Sequence, residues 1–262
     1  MKPPICVLSI AGIDSGGGAG VVADAQVIRA AGAHPVAAVT VVTAQNLHGV
    51  KAWEAVPVRL LEAQIEAIWE DFEIGAVKTG LLPSAEAVRA VARVLSRRRA
   101  RAPLVIDPVL GSTSGTVFLD AAGVAALKRD LIPLGALLTP NWPEASALTG
   151  LPVRTVAEAA EAGRRLVAEG CRAVLVKGGH GKGPKATDVL VTAAGKETRF
   201  ESKRVTTANT HGTGCALSAG IAAQLAHGAP LARAIRRARR SLLLALKRNR
   251  KLDWGGRGPV FA

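Results

Sequence analysis

Six short apolar runs, at 5–10, 35–42, 75–78, 104–106, 136–138 and 173–176, alternate along the chain with stretches of helical period. Runs this short, and rich in Val, Ile and Leu, suit strands buried on both faces. Parallel strands need long crossovers between them, and most of the intervening segments can carry a helix. The spacing predicts helices over 21–31, 58–72, 84–97, 120–131, 155–168, 216–226 and 231–248. Segments 188–191 and 198–205 read as a hairpin about Gly195, 50–56 as an extra strand, and the polar, Gly-rich 181–187 as a loop. This alternation predicts an α/β fold: a three-layer α/β/α sandwich with a mostly parallel central sheet. No linker or repeat divides residues 1–262, so one domain is expected.

Polar motifs close the runs: Thr43 to Asn46, Lys78 to Gly80, Asp107, Asn141 to Glu144, and Lys177 to His180. In a parallel sheet such ends converge on the edge where ligands bind. Asp107 suits a metal-bound water or a phosphate partner there. Asn141 and Glu144, three apart with Pro143 in the first helical turn, offer oxygens to a hydrated Mg²⁺; a capping box accounts for them equally well. Lys177 can neutralise phosphate. The Gly-rich 14–20 stretch is neither a dinucleotide fingerprint, since Val21 stands at its third glycine, nor a P-loop, since it lacks the lysine.

The stretch Asn209-Thr210-His211-Gly212-Thr213-Gly214-Cys215 leads into a helix that Asn209 or Thr213 could cap. A helix N-terminus presents unpaired N–H groups and partial positive charge, and glycines let an anion approach them. The same dipole is expected to lower the pKa of Cys215. The other cysteines, Cys6 and Cys171, lie in or beside apolar runs and read as core. An odd count of three without a CxxC argues against both a disulfide framework and a zinc site.

The formal net charge is +14, with arginines gathered at 93–101 and 233–250. The chain has no tyrosine and few aromatics, so a base-stacking platform is not expected and no nucleic-acid partner is assigned. Solvated helix faces account for the charge, which also favours anionic substrates. No apolar run approaches the roughly 20 residues of a membrane span, and no signal-peptide pattern opens the chain, so a cytoplasmic protein is expected.

Taken together, these motifs resemble the ribokinase-like superfamily, and within it the bacterial hydroxymethylpyrimidine/phosphomethylpyrimidine kinases of thiamine biosynthesis. The likeness runs near full length, through 9–12 and 15–20, Ala23-Asp24, Ala44-Gln45-Asn46, Lys78-Thr79-Gly80, Asp107-Pro108-Val109, Thr139 to Ala145, Lys177 to His180, Asn209 to Cys215, and Gly258-Pro259-Val260. It implies a ribokinase-like kinase domain and two ATP-dependent steps, making first the monophosphate and then the diphosphate of 4-amino-5-hydroxymethyl-2-methylpyrimidine. By that resemblance Gly12, Asp24, Thr43, Gln45, Leu81 and Val109 line the pyrimidine pocket. Lys177, Asn141, Glu144 and Thr207 serve the nucleotide, and Asp107 and Glu144 serve Mg²⁺ through water. Gly212, Thr213, Gly214 and Cys215 form the catalytic cradle, with the Cys215 sulfur as base for the hydroxymethyl proton. The family also implies a homodimer. Thr113 and Ala208 depart from its pattern, in which lysine is frequent at both places, and Leu81 replaces a frequent Met. Two other readings remain: a pyridoxal or pyridoxine kinase of the same superfamily, and a non-catalytic pyrimidine-binding regulator.

Overall fold

The computed structural model describes residues 3–97, 102–112 and 115–261. Thr113 and the arginines at 98, 99 and 101 lie outside the described residues. The chain opens with β1 (Cys6–Ile13), α1 (Gly20–Ala30), β2 (His34–Asn46) and β3 (Gly49–Ala55). It continues through α2 (Val58–Asp71), β4 (Ile74–Thr79), α3 (Ala85–Arg97), β5 (Leu104–Ile106), α4 (Ala121–Ala126) and β6 (Leu137–Leu138). It ends with α5 (Trp142–Thr149), α6 (Val156–Ala168), β7 (Ala173–Val176), β8 (Lys185–Thr192), β9 (Glu197–Lys203), α7 (Thr213–Ala226) and α8 (Leu231–Asn249).

The nine strands form one sheet in the order β3-β2-β1-β4-β5-β6-β7-β8-β9. Pairings from β2 through β1 and β4 to β7 are parallel; β3, β8 and β9 pair antiparallel to their neighbours. Strand alternation splits the core into two layers. Val7, Ala76, Val105, Leu137 and Leu175 face α1, α7 and α8, where they meet Val27, Ile221 and Ile235. Leu8, Val77, Ile106, Leu138 and Val174 face α2 to α6, where they meet Ile65, Val91, Leu148 and Leu166. This is the expected three-layer sandwich. The chain reverses direction across the sheet between β1 and β4, and a ligand-binding crevice belongs at that reversal.

Three local expectations differ from the structure. The expected loop at 181–187 gives way to strand at Lys185, because β9 supplies a full antiparallel partner: Lys185 pairs with Lys203 and Thr187 with Glu201. The helix expected over 120–131 is α-helical only to Ala126, then turns as a π-helix over Leu127–Leu131. Neither Asn209 nor Thr213 caps α7: the N-cap is Gly212, at φ 79°, with no side-chain cap. The Asn209 amide instead donates to the Asn249 and Leu252 carbonyls at 2.6 and 2.8 Å.

Candidate active site

A cavity of about 670 Å³ opens at the carboxyl ends of β1, β4, β5 and β7. Its lining brings together Gly12, Thr43, Gln45, Leu81, Val109, Asp107, Asn141, Glu144, Lys177 and the whole Gly212 to Cys215 turn. Two expected residues stay out of it, Asp24 and Thr207. Asp24 is fully buried on α1, where Ser9 Oγ donates to its Oδ2 at 2.6 Å and Lys78 Nζ at 2.7 Å. The residue that lines the cavity at this place is Lys78. Thr207 is half-buried, and its hydroxyl accepts the Asn209 N–H at 3.1 Å.

The two Gly-rich stretches interlock. A Cβ on Gly212 would overlap the Gly18 carbonyl oxygen, and one on Gly20 would overlap that of Gly12; both glycines have positive φ. Their lack of a side chain lets the loop after β1 lie directly against the start of α7. Asp14 ties the pair together. Its carboxylate accepts the N–H groups of Gly16, Gly18 and Ala19 at 2.8–3.1 Å and lies 2.7 Å from His211 Nε2. Burial pushes this carboxyl up, but the His211 and backbone hydrogen bonds outweigh it and hold Asp14 below its ordinary value. Gln45 Nε2 stands 3.3 Å from the same His211 Nε2. If that nitrogen donates its proton to Asp14, it has no lone pair for Gln45, whose N–H groups are then left to a ligand in the cavity. Neither Asp14 nor His211 was singled out in the sequence as a site residue. An Asp between a strand and a run of glycines, each able to donate an N–H, was the available signal.

At the α7 end, an uncapped first turn leaves backbone N–H groups of Gly214 and Cys215 at the cavity wall, while the Thr213 N–H donates to the Thr210 carbonyl at 3.3 Å. A Cβ built on Gly214 would come 3.2 Å from Lys177 Nζ and 3.7 Å from Asp107 Oδ2. The Gly-rich turn therefore adjoins an ion pair. Lys177 Nζ donates to Asp107 Oδ1 at 2.6 Å and lies 3.9 Å from Glu144 Oε2. Burial raises Asp107, but the charges of Lys177 and Lys78 reverse the sign and hold it ionised. Glu144 is pushed up to about 7, by burial first and then by the Asp107 charge, with Lys177 opposing. Asn141 and Glu144 form the capping box of α5: Asn141 Oδ1 accepts the Glu144 N–H at 2.9 Å and Glu144 Oε2 accepts the Asn141 N–H at 2.7 Å. The expected capping box is present, and the same two residues line the cavity.

Cys215 departs from expectation. Burial raises its thiol, and although Lys78 pulls it down, the Asp24 and Asp107 charges push it further up. Cys215 rests as a thiol, not as the thiolate that a helix dipole alone would favour. Lys78 itself is the charged residue that sequence reading gave no role. Burial lowers it, but the negative charge of Asp24 and the Cys215 and Asp107 groups hold it above its ordinary value. A lysine at the end of an apolar strand run needs a buried partner, and that was its signal. On the other wall Leu81, Val41 and Phe118 pack with Val50 and Val109 into an apolar patch that suits the face of a flat ring.

The residues also fit a hydrated Mg²⁺. Glu144 and Asp107 bring two carboxylates to the cavity, and no cluster of three or more His, Cys, Asp or Glu residues forms an all-protein cage among the described residues. One or two carboxylates plus substrate phosphates are the usual ligands of Mg²⁺.

Comparison with known proteins gives a consistent result. The phosphomethylpyrimidine kinase family model matches residues 14–261. A hydroxymethylpyrimidine/phosphomethylpyrimidine kinase of Rhizobium meliloti is 44% identical over 97% of this chain and 95% of its own. Among solved structures, phosphomethylpyrimidine kinase of Clostridium difficile superposes with a TM-score of 0.81 at 34% identity, covering 92% of this chain and 99% of that one. The Bacillus subtilis pyridoxal kinase in its ADP complex superposes with a TM-score of 0.86 at 32% identity, covering 94% and 92%. On this likeness in sequence and fold, the chain belongs to the phosphomethylpyrimidine kinase family.

Proposed function

We propose that the protein transfers the γ-phosphoryl group of ATP to 4-amino-5-hydroxymethyl-2-methylpyrimidine and then to the resulting monophosphate, in thiamine biosynthesis. The observation that carries this reading is the uncapped α7 turn facing the same cavity as Gln45 and the Leu81–Val109 patch. A phosphate acceptor and a flat heterocycle are thereby held side by side. Gln45 and Thr43 orient the ring, which packs on Leu81 and Val109 beside Gly12. Lys177 and Asn141 bind the ATP phosphates, while Glu144 and Asp107 hold Mg²⁺ through its waters. The metal, when bound, neutralises phosphate charge. The N–H groups of Gly212, Gly214 and Cys215, with Thr213 holding the turn through Thr210, receive the transferring group, a reaction governed by positioning and electrostatics. In the first step the Cys215 sulfur takes the hydroxymethyl proton through its minor thiolate fraction; in the second step the nucleophile is already an anion. Asp24 acts one layer back, by holding Lys78.

The protein works as one domain in the cytoplasm, and we infer a homodimer. Val42, Trp53 and Val117 are 54%, 39% and 71% exposed near the open edge of β3, an apolar rim suited to a second copy. No helix among the described residues is long and apolar enough to cross a membrane. The decisive experiment is ADP release with four acceptors: hydroxymethylpyrimidine, its monophosphate, pyridoxal and ribose. Turnover on both pyrimidines is expected. Turnover on pyridoxal alone would transfer the protein to the vitamin B6 kinases that its fold also resembles, and ligand binding without ADP release would make it a sensor.

A further inference from the structure

The segment after α8 returns to the cavity along a fixed path. Asn249 Nδ2 donates to the Val260 carbonyl at 3.0 Å, the His211 N–H to the Gly258 carbonyl at 3.1 Å, and the Val260 N–H to the His211 carbonyl at 3.0 Å. The tail thus lies parallel to the stretch that opens α7. Gly258 packs on Asn209, where a Cβ would overlap the side chain, and Gly256 packs on Leu47. Arg257 stands between these glycines and lines the cavity. Its Nε donates to Thr210 Oγ1 at 2.9 Å, which anchors one edge of the guanidinium. Its two terminal nitrogens have no partner among the described residues, and no carboxylate there pairs with it. The carboxylates that line the cavity are engaged elsewhere: Asp14 lies against His211, Asp107 and Glu144 against Lys177, and Asp188 against Arg239. An exposed guanidinium anchored by one edge, with its fork free and no carboxylate paired to it, is placed to take an anion in the cavity.

We propose that Arg257 binds phosphate, its terminal N–H groups making a bidentate contact beside the Gly212–Cys215 turn. The inference rests on the phosphoryl-transfer reading of the cavity. The phosphate comes either from the nucleotide or from the monophosphate that the second step consumes, and two measurements on Arg257→Gln separate these sources. One is ADP affinity without pyrimidine; the other is the KM of each pyrimidine at saturating ATP. A nucleotide contact weakens ADP binding about tenfold and raises the ATP KM in both steps. A substrate contact leaves ADP affinity intact and raises the KM for the monophosphate about tenfold, with the KM for the unphosphorylated pyrimidine unchanged. The proposal is overturned if every value stays within about twofold, or if kcat and the melting temperature fall with no selective change in KM. Arg257→Lys keeps the charge without the fork and is expected to fall between; it carries the same measurements should the Gln variant not fold. Lys177→Met is the control for the site itself. If it too leaves ADP affinity and turnover unchanged, the cavity reading fails; if it alone abolishes them, only the Arg257 assignment fails.

Discussion

Lys78 and Asp24 make the strongest single demand on the fold, because neither charge has any exposure. Asp24 Oδ1 has no hydrogen-bond partner among the described residues, so this carboxylate depends on Lys78 and Ser9 through its other oxygen. Replacing Lys78 by Met leaves an unpaired buried charge and is expected to cost about 3–5 kcal/mol in urea denaturation, with Lys78→Met/Asp24→Asn recovering part of it. A single variant as stable as the double would show that the pair is not coupled. Cys215 carries a prediction about pH. Its thiol lies above its ordinary value, and the reactive form is the deprotonated one. Above the titration of Glu144 near 7, first-step kcat should therefore keep climbing with pH to about pH 8.5, while the second step levels off. A flat first step, or the same slope in Cys215→Ala, leaves the sulfur no part in proton transfer. Cys215, Gln45 and Lys177 were legible from the sequence because each sits at a strand end or in the Gly-rich turn. The surroundings of Asp24 were not: an acid within the helix expected over 21–31 says nothing of whether Ser9 and Lys78 stand above it.

At the scale of elements, α5 and α6 offer an internal comparison. Both start with a capping box, Asn141 with Glu144 and Thr155 with Glu158, but only the first lines the cavity. Removing either cap should cost about 1 kcal/mol of stability. Asn141→Ala should in addition raise the ATP KM, whereas Thr155→Ala should leave kcat/KM unchanged. Equal effects of the two on turnover would reduce Asn141 to a helix cap. Helix starts were readable because a cap is a local event. The start of β8 was not, since Lys185 to Thr187 are ordered by β9, residues that follow in sequence and whose pairing no local pattern announces. The cap of α7 was hidden for a related reason: Asn209 is drawn away by carbonyls of Asn249 and Leu252, some 40 residues on.

For the whole molecule, the parallel strands set out the site and the antiparallel β8–β9 end closes it against α8. One buried contact joins these parts. Arg239 of α8 pairs with Asp188 of β8 and donates to Ser202 Oγ of β9 at 3.2 Å, while the other Asp188 oxygen accepts the Gly178 N–H at 2.6 Å. Both side chains are shut from water, 10% and 7% exposed, and desolvation lowers the Arg239 guanidinium to about 10. Asp188 therefore links the last helix to the turn that follows Lys177. Arg239→Met strands the carboxylate and is expected to destabilise the fold by about 3–5 kcal/mol. Because the released Gly178 turn borders the part of the cavity proposed for the nucleotide, the ATP KM should rise while the KM for hydroxymethylpyrimidine, whose proposed pocket lies at β1, β2 and β4, holds. Asp188→Asn/Arg239→Met should regain part of the stability by removing the stranded charge. Denaturation and the two KM values decide the matter, and a parallel rise in both would mean that the pair supports the sheet as a whole and not the nucleotide side of the site.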